Sequence, residues 1–262
     1  MKTRMFALLT VLALLAAACG GSTASPSASV DAGKSDYKAC LSLDTGGPAD
    51  KNFNQSAYEG LEALKAEGFQ TAYTTAVDDS SYAPNIQQLI DQNCNTVIAV
   101  GYNQGTALQA AALDAANADI AFGWVDATWA LEDGTIPANF TGIDFQIDEA
   151  SMLAAYLAAG ISKTHVIATY GGAPYPGVTK FMDGWVAGAK YYADKKGVAI
   201  DVLGWDPVAA TGTFNPSTAP FNDVDFGKTT AEAFMGQSAD VVHAVAGTTG
   251  NGTYQAMMDA GK

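Results

Sequence analysis

A strand-ending aspartate, a pair of glycines and an aromatic residue at the mouth of a helix can together hold a flat molecule that carries hydrogen-bonding edges. That layout occurs in Asp44-Thr45-Gly46-Gly47-Pro48-Ala49-Asp50-Lys51-Asn52-Phe53-Asn54. Asp44 supplies an acceptor, the glycines allow close backbone approach, and Phe53 offers a plane for a ring to lie on. Asp44, Phe53 and Asn54 are therefore candidate ligand contacts, although Phe53 fits equally well as the hydrophobic staple of the helix it precedes. Two further glycine-rich turns follow strands and open helices, where free backbone N–H groups can face a ligand. The string Gly247-Thr248-Thr249-Gly250-Asn251-Gly252 lies at the carboxyl end of a strand, which makes Gly247 a further candidate. The string Gly171-Gly172-Ala173-Pro174-Tyr175-Pro176-Gly177 is as compatible with a plain turn.

Patterns that support turnover are missing from the sequence. It holds no HExxH, no paired CxxC, no GxSxG elbow and no phosphate-binding GxxxxGK[ST] loop. The two histidines, His165 and His243, fall at or inside expected strands and read as core or surface residues. The carboxylates Asp44, Asp50 and Asp126 are spread along the chain rather than clustered as an acid–base pair or a metal cage. The expectation is a binding protein without catalysis, cofactor or metal.

The elements that must position these residues are legible from periodicity. Short apolar runs over 38–43, 70–75, 96–101, 120–125 and 139–143 read as strands, and amphipathic stretches over 54–67, 83–92 and 105–117 read as helices between them. A second series follows: helix 149–160, strand 165–170, helix 178–195, strand 199–205, a loop rich in Pro, Thr and Asn, helix 227–235, strand 240–246 and a helix opening at Gly250. Alternation of this kind builds parallel sheets covered by helices. Two doubly wound α/β lobes, 37–146 and 147–262, are expected to enclose a cleft at the carboxyl ends of their strands, and to work by hinge closure. The second series stops straight after a helix, so that lobe is expected to be incomplete in this chain.

The first residues carry a different message. Lys2 and Arg4 precede a 14-residue apolar run, Met5 to Ala18, and then Cys19. This is the layout of an export signal, too short for a membrane-spanning helix, which needs about 20 residues. Small residues before Cys19 resemble a bacterial lipobox, with Ala16 where Leu is usual, so 1–19 reads as a lipoprotein signal with Cys19 as the lipidated residue. An ordinary signal-peptidase site is the alternative. Residues 20–36 are poor in bulky apolar side chains and read as a disordered tether. The net charge of −14 argues against a nucleic-acid partner. Cys40 and Cys94 form an even pair in an exported chain, on or beside strands expected to be neighbours; they read either as a disulfide or as two buried thiols.

The run from Asp44 to Gly60 resembles the opening signature of the basic membrane protein family, nucleoside-binding lipoproteins that serve ABC importers. Further similarities follow in order: Tyr82-Ala83-Pro84-Asn85, Val100-Gly101-Tyr102, Glu149-Ala150-Ser151 with Leu153-Ala154, and Ala246 to Gly252. The resemblance implies a type I periplasmic-binding-protein-like fold with a purine nucleoside held between the lobes. It implies Phe53 as the first base-stacking aromatic, Asp44 as the polar residue ending the first strand, and Asp126 as the carboxylate on the base edge. Phe221 is implied as the opposing aromatic, with Phe214 a rival match, and Gly247 as a backbone contact to the sugar. The family's ribose-binding aspartate and lysine match positions beyond residue 262. Implied partners are an ABC permease with its ATPase subunits and, through the lipid anchor, the membrane. Alternatives in keeping with the residues are a receptor for a flavin or a pentose, a sensor without a transporter, and a nucleoside hydrolase on a similar sheet.

Overall fold

The computed structural model of the protein describes residues 32–262. Cys19 and residues 20–31 of the expected tether lie outside the described residues. The first lobe is a five-stranded, all-parallel sheet in the order β2-β1-β3-β4-β5, built from β1 (Lys38–Leu43), β2 (Gln70–Thr75), β3 (Thr96–Val100), β4 (Ala121–Val125) and β5 (Phe140–Ile143). β1 is nearly all buried, as an inner strand covered on both faces must be, whereas edge strand β2 leaves Tyr73 exposed. Crossover helices α2 (Phe53–Ala66), α3 (Tyr82–Asp91) and α4 (Gly105–Leu113) cover the sheet. One face buries Cys40, Ile86, Leu89, Val97, Leu108, Phe122 and Trp124 as a single core.

Residues 32–35, expected to belong to the tether, instead form a short helix, α1 (Ala32–Ser35), docked on the first lobe. Lys34 pairs with Glu67 at 3.2 Å, and the Gln70 side chain donates to the Ser35 carbonyl at 2.5 Å. These partners lie more than thirty residues away in sequence, so local composition carries no trace of them.

The second lobe begins with α5 (Ile147–Ile161) and contains β6 (Val166–Gly171), α6 (Pro176–Lys196), β7 (Asp201–Leu203), α7 (Val224–Gly236), β10 (Val241–Val245) and α8 (Gly250–Asp259). Its parallel sheet runs β10-β6-β7. The expected strand over 199–205 is broken at Gly204. Beyond it, a small antiparallel pair, β8 (Trp205–Asp206) and β9 (Thr211–Gly212), occupies the segment read as loop. α5 and α6 pack without room for side chains at the crossing: a Cβ on Gly184 or Gly188 would collide with the carbonyl oxygens of Asp148 and Met152. That contact holds the middle of α6, whose first turns, with Gly177, Val178 and Phe181, border the cleft.

Candidate functional site

The carboxyl ends of the strands from both lobes face a cleft of about 1690 Å³. Asp44, Phe53, Asn54, Asp126, Phe221 and Gly247 all line it. Phe214 does not; it packs edge-on against Trp205 at 5.9 Å and fills the space over Gly171.

Asp44 follows β1. Its Oδ1 accepts from the Tyr82 hydroxyl at 2.6 Å and from the Thr45 N–H at 2.6 Å. Gly101 makes room for this carboxylate: a Cβ there would lie 2.6 Å from Asp44 Oδ2, and its φ of 121° suits glycine alone. Burial, and then the neighbouring Asp44 charge, push the Tyr82 phenol well above its ordinary range, so it remains a donor.

Asn54 holds the site together from behind. Its Oδ1 accepts the Asp44 N–H at 2.9 Å and its Nδ2 donates to Asp50 at 3.0 Å. Asp50 caps α2 in place of Asn52, taking the N–H groups of Asn52, Asn54 and Gln55 at 2.9–3.0 Å. Burial raises the Asp50 carboxyl, but the hydrogen bonds from Gln55, from the Asn54 side chain and backbone and from Asn52 outweigh it and leave it below the usual range. Its ionised form therefore stabilises the fold above the unfolded-state pKa, and that contribution disappears as pH falls through the lowered folded value. Asp50→Ala is expected to cost about 1–2 kcal/mol in urea unfolding at neutral pH; an unchanged midpoint would remove Asp50 from this role.

Phe53 is half-buried against the cluster of Leu43, Leu61 and Val100. Its ring borders the cleft, and among the described residues no second aromatic ring stands against it. From the other lobe, Phe221 sits in a loop bound to the turn at Gly247. Its carbonyl accepts from Thr248 Oγ1 at 2.8 Å and from the Thr249 N–H at 3.2 Å. Gly247, at φ 54°, brings the end of β10 against the Phe221 backbone.

Asp126 ends β4 in the left-handed region at φ 65°, and its N–H donates to the Ile143 carbonyl at 2.9 Å. Burial, with the Asp144 charge adding to it and Lys180 opposing, holds its carboxyl above the usual range. Lys180 itself is engaged by Asp144 at 3.1 Å and by the Phe145 carbonyl at 2.7 Å. Among the described residues no hydrogen-bond donor meets the Asp126 carboxylate. A partly buried acceptor without a partner is costly, and this one faces the cleft.

Cys40 and Cys94 are joined by a disulfide with Cα atoms 6.0 Å apart, at the end of β1 and β3 away from the cleft. Among the described residues no group of three or more His, Cys, Asp or Glu is placed to hold a metal ion, and no helix is long and apolar enough to cross a membrane. Among the cleft residues not singled out from the sequence as ligand contacts are the ring-bearing Tyr82, Tyr102, Tyr175 and His243. Burial drives the His243 imidazole down to about 4, and it lies flat on Trp185 with ring centroids 4.5 Å apart. Tyr82 and Tyr102 stood within the motifs carrying the family resemblance, which was the available signal for them; Tyr175 stood in a string read as a turn.

Comparison with known proteins agrees with this architecture. The chain is 31% identical over 261 residues to the ABC transporter nucleoside-binding protein BmpA of Lactococcus lactis subsp. cremoris, covering 97% of this chain and 68% of that protein. It is 29% identical over 212 residues to basic membrane protein A of Borreliella afzelii, covering 81% of this chain and 59% of the relative's length. In fold it matches an ABC transporter solute-binding protein from Aeropyrum pernix K1 with a TM-score of 0.72 at 22% identity, over 86% of this chain and 59% of that one. The family described as ABC transporter substrate-binding protein PnrA-like matches residues 38–262, and the chain belongs to it.

Proposed function

We propose that the protein is an extracytoplasmic receptor of an ABC importer, tethered by lipid on Cys19, that captures a purine nucleoside between its lobes and releases it unchanged to the permease and its ATPase subunits. The observation that carries this reading is the Asp126 carboxylate, partly buried in the cleft and unpaired by the protein. A purine presents N–H donors on its edge and flat faces on either side. Asp126 takes the donors, while Phe53 from the first lobe and Phe221 from the second offer their faces to the ring. Asp44, held by Tyr82 and the Thr45 N–H, is left with Oδ2 as an acceptor for a ligand hydroxyl or N–H. Because the two aromatic walls belong to different lobes, a ligand touching both favours the closed arrangement.

The Lactococcus relative is by name a nucleoside-binding protein, which supports the same ligand class here. Isothermal calorimetry of the full chain with inosine, guanosine and adenosine is expected to show saturable binding, and chromatography after prolonged incubation to recover intact nucleoside. No heat with any of the three would overturn the nucleoside assignment, and heat with ribose or a flavin instead would redirect it. Release of free base would convert the receptor into a hydrolase.

A further inference from the structure

We propose that Tyr102 and Tyr175 form an interlobe clasp: they position the lobes over the ligand by stacking on each other rather than on it. Tyr102 follows β3 in the first lobe, and Tyr175 stands at the N-terminus of α6 in the second. Their rings are stacked with centroids 4.7 Å apart and planes 24° apart. The stack continues in both directions. Tyr102 lies on Trp124 at 5.6 Å and 29°, and Tyr175 faces Phe221 at 5.9 Å and 35°. Four rings, two from each lobe, thus form one column across the cleft.

Both ends of the column are fixed. Trp124 is buried in the first lobe's core and its Nε1 donates to the Gly101 carbonyl at 3.0 Å. The Phe221 backbone is held by Thr248 and Thr249. The middle of the column is too tight to be the ligand slot, since a planar ring inserted between two others needs them about 7 Å apart. Room for a ring lies instead beside Phe53, which has no aromatic neighbour among the described residues. Opening the lobes would separate Tyr102 from Tyr175 and return both ring faces to water, so the contact favours closure whether or not a ligand is present.

The proposal rests on the cleft being the binding site, but its first test needs no ligand. Small-angle scattering of the ligand-free full chain is expected to give a larger radius of gyration for Tyr102→Ala and Tyr175→Ala than for wild type, with Tyr175→Phe restoring the wild-type value. With inosine as probe, the alanine variants are expected to dissociate about three- to tenfold faster, the worth of one aromatic pair, with association little changed and Tyr175→Phe again close to wild type. Tyr102→Leu and Tyr175→Leu, which keep apolar bulk but cannot stack, serve if an alanine variant fails to fold. Wild-type dimensions and dissociation rates in the non-aromatic variants would overturn the clasp. If inosine binds neither wild type nor variants, the nucleoside reading falls, while the scattering comparison still decides the clasp.

Discussion

Asp126→Asn is expected to weaken inosine and guanosine binding on the order of 100-fold, the loss associated with a charged hydrogen bond in a partly desolvated site. The same substitution is expected to raise the melting temperature of the ligand-free protein at neutral pH. Asparagine keeps the shape and, like aspartate, tolerates the positive φ of 65° at this position. It replaces one acceptor oxygen with an NH₂ group, which meets a ligand N–H donor with another donor. Binding suffers because the site loses the partner that the ligand edge requires.

The opposite sign for stability follows from the direction of the pKa shift. Burial first, then the Asp144 charge, raise the folded-state value of Asp126, with Lys180 only partly offsetting them. A group raised on folding contributes stability that is fully present below its unfolded-state pKa, about 3.9 for aspartate, and is lost as pH rises through the raised folded value. At neutral pH the ionised carboxylate therefore destabilises the empty cleft, and Asp126→Asn removes that cost. The gain in melting temperature should shrink on acidification and vanish below about pH 4. Scanning calorimetry at the two pH values together with titration of inosine at neutral pH checks both halves. Wild-type affinity in the variant would remove Asp126 from the ligand edge, and an unchanged melting temperature would show that its burial carries no penalty.

Strands and site residues were legible in the sequence to different depths. β1 and β2 occupy the expected 38–43 and 70–75 because the strands of a parallel sheet are marked by short apolar or β-branched runs bounded by turns. Residues ending such strands, Asp44 and Asp126 among them, fall at the cleft by topology, since every parallel strand delivers its carboxyl end to the same side. Docking of residues 32–35 was not legible, because Glu67 and Gln70 hold them from a distance in sequence. Nor was the fate of the two phenylalanines between 213 and 222. Both stand in similar Phe-Asn pairs, and only the folding of 205–212 into a hairpin places Phe214 against Trp205 and leaves Phe221 at the cleft. Tyr102 and Tyr175 escape for the same reason: each is an ordinary turn residue until the lobes bring their rings together.

Reduction of the Cys40–Cys94 disulfide is expected to lower the unfolding free energy by about 4 kcal/mol, the chain-entropy value for a closed loop of this size, whose ends are 54 residues apart. The wild-type protein with its thiols reduced is the cleanest comparison. Free cysteines keep the apolar packing of the core that includes Ile86, Leu89, Val97 and Phe122, whereas serine at either position would bury an unpaired hydroxyl. The effect should be global rather than local. The bridge ties β1 to the entry of β3, while the cleft residues Asp44 and Tyr102 lie beyond the opposite ends of those strands, Asp44 roughly 13 Å further along the strand direction than Cys40. Nucleoside affinity of the reduced, still folded protein is therefore expected to stay within about twofold of the oxidised form, because the hydrogen bonds that orient Asp44 come from Tyr82 and Thr45 and do not pass through the bridge. Urea unfolding of oxidised and reduced protein, with inosine titrations below the transition, separates the two effects. A reduced protein that unfolds at the same midpoint would show that the cross-link adds nothing to an already complete core. A large loss of affinity without loss of fold would show instead that the spacing of β1 and β3 is transmitted to the cleft.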